Sequence, residues 1–225
     1  AAGISPVAAP VLDLSTEGAD AVLGDRAFGT PPAEVIPLAT AFIDGVTRSG
    51  VTPIVKHIPG MGRADIDSHQ SLPVVKTPVS ILEQSDWIPF QVVSGTRWAM
   101  TAHIVIPEWD HKPITTSERA MSHIRSLFGD RMIVSDCLTM GAMTGAIEER
   151  IQQTLDAGVD LALFSNGSDE ERRSAVEASG DPRVIREEPN ELKALPSSTL
   201  KILLQKLREV PTPIQAADPT WDRRN

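Results

Sequence analysis

The sequence predicts an α/β fold in which about five parallel strands alternate with helices. Two observations carry this expectation. Short apolar runs bounded by Gly, Pro and polar residues recur along the chain, and segments with helical periodicity lie between them. Such alternation implies right-handed β/α units feeding one sheet. In addition, polar residues recur at the carboxyl ends of the runs: Asp13, Lys56 with His57, His103, Asp136 and Asn166. Parallel strands bring those ends to one face, which is where α/β folds bind ligands.

Residues 7–14 read as the first strand and 33–49 as the first helix, although Pro37 inside it predicts a kink or a start delayed by about a turn. Residues 52–57 form the second strand, broken by the Pro and Gly that follow. A helix near 79–93 precedes a strand at 98–106. Ser117 is placed to cap a helix over 117–128, after which 132–136 reads as a strand, 148–157 as a helix and 159–165 as the fifth strand. Gly50, Gly129 and Gly158 fall where helices should end. Past Asn166 the pattern fades into a polar, charged stretch to Leu192, then resumes as an amphipathic helix over 197–209. The expected division is one domain over 1–210 and a polar tail over 211–225 that frays.

With 225 residues, 41% of them apolar and 23% charged, the composition is that of an ordinary globular domain with one sizeable core. A formal net charge of -9 argues against nucleic acid or an anionic membrane as a partner through a general basic field. Cys137 is the one cysteine, so no internal disulfide forms. No apolar run approaches the roughly 20 residues of a membrane span, and no basic start leads into an apolar segment, so a soluble cytoplasmic protein is expected.

The densest chemistry lies in Lys56-His57-Ile58-Pro59-Gly60-Met61-Gly62 and the Asp65-Ile66-Asp67-Ser68-His69 that follows. Asp67 and His69 are two positions apart, so in an extended loop the carboxylate reaches the imidazole, fixes its tautomer and raises its basicity. The alternative is a solvated loop with both groups facing water. Asp136 ends an apolar strand and is delivered rigidly to the ligand face, which suits a nucleophile; a helix cap is the alternative. Lys56 and Arg26 are donors for ligand hydroxyls or carboxylates, or else plain surface charges. His57, Asp65, Asp67, His69, His103 and Asp136 also make a conceivable metal-ligand set. Against it, Lys56 adjoins His57, and the spacing matches no strong zinc pattern.

The Lys56 to Gly62 segment, with Asp67-Ser68-His69 and Leu72-Pro73 after it, resembles the motif of family 3 glycoside hydrolases of the bacterial β-N-acetylglucosaminidase type. Ala9-Pro10-Val11-Leu12-Asp13-Leu14, Asp25-Arg26-Ala27-Phe28-Gly29, Met100-Thr101-Ala102-His103, Ile133 to Met140 and Asp156-Ala157-Gly158-Val159-Asp160 look like that family's successive barrel blocks. The resemblance implies a (β/α)8 TIM-barrel enzyme that removes terminal non-reducing N-acetylglucosamine from muropeptides in cell-wall recycling, with retention and without metal. No cofactor is expected. By the same resemblance Asp136 matches the nucleophile and His69 the acid/base, paired with Asp67 on a mobile loop. Arg26, Lys56 and His57 match residues that hold the sugar. A His thus stands where most glycosidases use a second carboxylate.

Two departures from the family pattern shape the expectations. Met61 stands where the family usually has His between the glycines, which removes a polar loop group. The chain also begins at what looks like the family's third strand, without the opening units and their sugar-binding Asp. Five strands cannot close an eight-stranded barrel, so an incomplete barrel with exposed edges is expected, prone to self-association. Three functional readings follow: a retaining hexosaminidase, a sugar-binding protein without turnover, and a metal-dependent hydrolase.

Overall fold

The computed structural model describes residues 5–16 and 23–180. The helix expected over 197–209 and the tail over 211–225 lie outside the described residues.

After a short 3-10 turn at Gly24–Arg26, helix α1 runs over Pro32–Arg48 and strand β1 over Ile54–Ile58. Helices α2 (Val79–Leu82) and α3 (Ile88–Val92) lead to β2 (Trp98–Thr101). A 3-10 turn at Ile114–Thr116 precedes α4 (Glu118–Phe128) and β3 (Met132–Cys137), followed by α5 (Ile147–Asp156), β4 (Leu161–Leu163) and α6 (Asp169–Ala178). The strands form one all-parallel sheet in sequence order. This is the α/β alternation expected, and the described sheet stays open.

Residues 7–12 take the place of the expected first strand as extended chain beside β1. Val7 accepts from the Ile54 N–H at 2.9 Å and Leu12 donates to the Lys56 carbonyl at 2.7 Å, so the direction is parallel. Pro10 has no N–H to give, and the pairing is reduced to isolated bridges.

Side chains from the two sheet faces enter different clusters. Val55, Ala99 and Ile133 point toward the helices and join Trp87, Phe90, Met121 and Ile124 in the main core. Ile54, Trp98, Met100 and Val134 project from the other face and pack with Leu161 and Leu163. Period-two alternation explains this split. Two irregularities interrupt it at the carboxyl ends. Lys56 pairs with Met100 but Ile58 with Thr101, and Val134 pairs with Leu161 but Cys137 with Leu163. The extra residues in β1 and β3 are bulges, which re-aim side chains at strand ends.

Three expectations are corrected. Helix α1 starts at Pro32 and includes Pro37, because Pro32 suits a first helical turn and Pro37 is on the exposed side, where water can replace the bond it cannot make. The single helix expected over 79–93 is two short ones, since Asp86 and Trp87 turn inward to full burial and Arg63 binds the Asp86 carboxylate at 2.8 Å. Strand β2 ends at Thr101 rather than Ile106, as Val105 leaves the sheet to donate to the Pro73 carbonyl at 2.9 Å. Helix α6 was not expected at all, yet Ser168 caps it by accepting from the Glu171 N–H at 3.1 Å.

Candidate active site

The carboxyl ends of the extended segment and of β1 and β3 converge as the sequence predicts, and the first group to fix the site is Asp13. It is 0% exposed. Its Oδ1 accepts from the Met61 N–H at 2.8 Å, and its Oδ2 accepts from the His57 N–H at 3.1 Å. Oδ2 also lies 2.6 Å from His57 Nδ1; a carboxylate oxygen only accepts, so Nδ1 carries the proton and donates. His57 is thereby held with Nε2 facing the site, 3.8 Å from Asp136 Oδ2, beyond direct hydrogen-bond reach.

Asp136 sits at the β3 bulge, half-buried. Its Oδ1 accepts from the N–H of Cys137 at 2.7 Å, which leaves Oδ2 as the oxygen turned toward His57. Lys56 is half-buried beside them. Burial lowers its pKa from the ordinary ammonium value; Asp136 and Asp13 oppose that shift and Arg26 reinforces it, so three neighbouring charges act on the ammonium. Arg26 reaches this neighbourhood from the exposed 3-10 turn.

Asp67 and His69 pair as their spacing predicts. One oxygen, Asp67 Oδ1, accepts from the His69 N–H at 2.8 Å and lies 2.8 Å from Nδ1. The Asp67 side chain is 15% exposed and that of His69 63%, so the carboxylate is the anchored partner and Nε2 of the ring faces outward. Backbone bonds fasten this loop to the turn after β3: Gly141 donates to the His69 carbonyl at 3.1 Å and Ala142 to the Ser68 carbonyl at 3.0 Å. A Cβ at Gly141 would stand 2.5 Å from the His69 carbonyl oxygen, so only glycine permits this approach. Gly62 plays the same part at the loop's start, where a Cβ would lie 2.0 Å from the Leu14 carbonyl oxygen. Arg63 anchors the adjoining segment on Asp86.

Met61 removes less than its side chain suggests. Its contribution to the site is the backbone N–H on Asp13, and its side chain packs into the main core. Among the described residues no three His, Cys, Asp or Glu are placed to hold a metal ion. His103 in particular engages both ring nitrogens elsewhere, Nδ1 with Thr115 and Nε2 with the Cys137 carbonyl. Asn166 is exposed, past the end of β4. Sequence reasoning placed Asp13 at a strand end without assigning it His57 as a partner, and it found no signal for Thr115 or Gly141.

Residues 1–182 match the family model described as Glycosyl hydrolase family 3 N terminal domain. A β-hexosaminidase of Thiobacillus denitrificans is 37% identical over 164 residues, 70% of this chain and 45% of that protein. The crystal structure of NagZ from Neisseria gonorrhoeae in complex with N-trifluoroacetyl-D-glucosamine aligns with a TM-score of 0.71 at 32% identity, covering 90% of this chain and 61% of that one. A family 3 β-N-acetylglucosaminidase from Paenibacillus sp. aligns with a TM-score of 0.74 at 28% identity, covering 96% of this chain and 43% of that one. The chain spans about half the length of the curated relatives it matches.

Proposed function

The chain belongs to glycosyl hydrolase family 3, and from that premise we propose that it is a retaining β-N-acetylhexosaminidase that releases terminal non-reducing N-acetylglucosamine from muropeptides or related β-N-acetylglucosaminides. The observation that carries this reading is the tie between the Asp67–His69 loop and the turn after β3, because it hangs a proton-transfer pair on the strand that delivers Asp136.

In this reading Asp136 Oδ2 attacks the anomeric carbon while His69 Nε2–H protonates the departing glycosidic oxygen. The glycosidic bond breaks and an ester to Asp136 forms. Asp67 accepts from His69 Nδ1–H and so orients the ring with Nε2 as the nitrogen that hands over the proton. His69, now neutral, takes a proton from water as that water attacks the anomeric carbon, and Asp136 leaves with its electron pair. Lys56, Arg26 and His57 hold sugar hydroxyls, with the His57 ring locked by Asp13. The exposed Nε2 of His69 is open to the departing glycosidic oxygen, and the loop's backbone bonds keep it there.

The cytoplasm as its compartment and self-association belong to the same proposal. None of the described helices is long and apolar enough to cross a membrane. The β4 residues are half-exposed at the last edge of the described sheet, a surface that favours strand pairing with a second copy. Sedimentation of the chain tests that part.

The deciding experiment is intact-mass spectrometry after incubation with a fluorinated N-acetylglucosaminyl donor that traps the glycosyl-enzyme. The expected result is one sugar on the peptide holding Asp136, absent from Asp136→Ala. Folded protein that binds the sugar yet forms neither adduct nor product would favour a binding role instead. Turnover lost on chelation and restored by a divalent ion would favour the metal-dependent alternative.

A further inference from the structure

His103 has no place in the mechanism above, yet it is 1% exposed, and Thr101 and Thr115 beside it are both 0% exposed. Three polar side chains buried together at the end of β2 are costly unless every proton is assigned. The acceptor at Nε2 and the burial of the ring together set the assignment. Nε2 of His103 lies 3.1 Å from the carbonyl oxygen of Cys137, and a carbonyl only accepts, so Nε2 carries a proton and donates it. Burial favours the neutral ring, against the pull of the nearby Asp136. Nδ1 of a neutral ring so protonated is an acceptor, and Thr115 Oγ1, 2.8 Å away, is its donor. With its one hydrogen directed at the ring, the Thr115 hydroxyl leaves its 3.2 Å approach to the Ala102 carbonyl as a contact only. It then accepts from Thr101 Oγ1 at 3.0 Å.

The bonds therefore run in one direction, from Thr101 to Thr115 to His103 to the Cys137 carbonyl. Cys137 is the residue whose own N–H holds Asp136 Oδ1. Its carbonyl and its N–H are thus each held by a side chain, and its backbone dihedrals with them. We infer that His103, oriented by Thr115, is a positioning residue for Asp136: it clamps the Cys137 backbone at the β3 bulge and so sets the direction of the attacking oxygen. This rests on the proposed role of Asp136 as nucleophile. It gives a reason for a buried imidazole where a packed apolar residue of similar volume would serve stability as well.

The test compares wild type, His103→Gln, Thr115→Val and Thr115→Ser by steady-state kinetics on an aryl N-acetylglucosaminide, with long-range 1H–15N spectra of the wild-type imidazoles. Wild type is expected to show His103 neutral with the proton on Nε2. Thr115→Val keeps shape but removes the donor, and is expected to lower kcat by about 10- to 100-fold with KM within about twofold, the scale of a misplaced reacting group. Thr115→Ser restores the hydroxyl and is expected to restore kcat. His103→Gln, which keeps a donor toward the Cys137 carbonyl, is expected to fall between them. Wild-type kcat in Thr115→Val, equal losses in Thr115→Ser and Thr115→Val, or a proton on Nδ1 overturns the inference while the proposed function stands. A folded wild type without turnover or trapped adduct overturns the proposed function, and this role with it. Should the three variants fail to fold, a proton on Nδ1 of wild-type His103 still overturns the inference.

Discussion

Adding one methyl group at Gly141 tests whether the Asp67–His69 loop delivers the catalytic proton. An alanine Cβ there would sit 2.5 Å from the His69 carbonyl oxygen and 2.7 Å from that of Gln70, whereas ordinary contact begins near 3.4 Å. Both obstacles are backbone, so no side-chain rotation relieves them, and the loop must retreat by about 0.9 Å at His69. That retreat stretches the bonds from Gly141 to His69 and from Ala142 to Ser68, at a cost of about 0.5–1.5 kcal/mol each. The fold survives such a loss, but the proton donor does not stay in place. Misplacement of about 1 Å costs on the order of 100-fold in rate. The loss must depend on the leaving group, because a general acid matters only where the departing oxygen needs a proton. Gly141→Ala is therefore expected to lower kcat/KM by about 100-fold on a disaccharide and by under about tenfold on a dinitrophenyl glycoside. Equal losses on the two substrates, or none on the disaccharide with the protein folded, would refute the assignment of proton transfer to this loop.

Asp13→Ala leaves the buried N–H groups of His57 and Met61 without a charged acceptor. It is expected to cost about 3 kcal/mol or more in urea denaturation, as well as loosening His57. Gly62→Ala directs a Cβ at the Leu14 backbone, and overpacking of that kind is expected to lower stability by about 1–3 kcal/mol, read as a lower melting temperature. The pH dependence of stability follows from His103, whose pKa burial holds below the ordinary imidazole value. As pH falls through about 6.5 the unfolded chain takes up this proton first, so the folded state loses stability from there down to the depressed folded pKa. Urea midpoints of wild type and His103→Gln between about pH 7.5 and 5 should therefore diverge, the wild type falling more steeply. Parallel curves would place the acid sensitivity elsewhere.

Much of the α/β alternation and part of the site were readable along the chain because they depend on near neighbours. Ser117 caps α4 through the Ala120 N–H three residues on, and Gly129 ends that helix with a φ of 70° that side chains disfavour. Asp67 meets His69 because a spacing of two puts both on one side of a loop. Helix α6 was equally readable and was missed: Ser168-Asp169-Glu170-Glu171 is a capping box, hidden by a polar composition that leaves only Ala175 buried. The break between α2 and α3 was not readable, since Asp86 turns inward for a partner, Arg63, that lies 23 residues earlier.

The sequence by itself determined that strands alternate with helices, that charged and imidazole groups gather at strand ends, and that Asp136 and the Asp67–His69 pair stand among them. Tertiary structure alone decided who faces whom. Asp13 meets His57 across 44 residues, His103 meets the Cys137 carbonyl across 34, and the His69 loop rests on Gly141. The physical reason is range. Caps, turns and two-residue pairs follow from the local geometry of the chain, whereas these pairings depend on strand register and on bulges at Lys56–Ile58 and Val134–Cys137. A shift of one residue in register would turn the same side chains to the opposite face of the sheet, and only packing of the whole core selects against it.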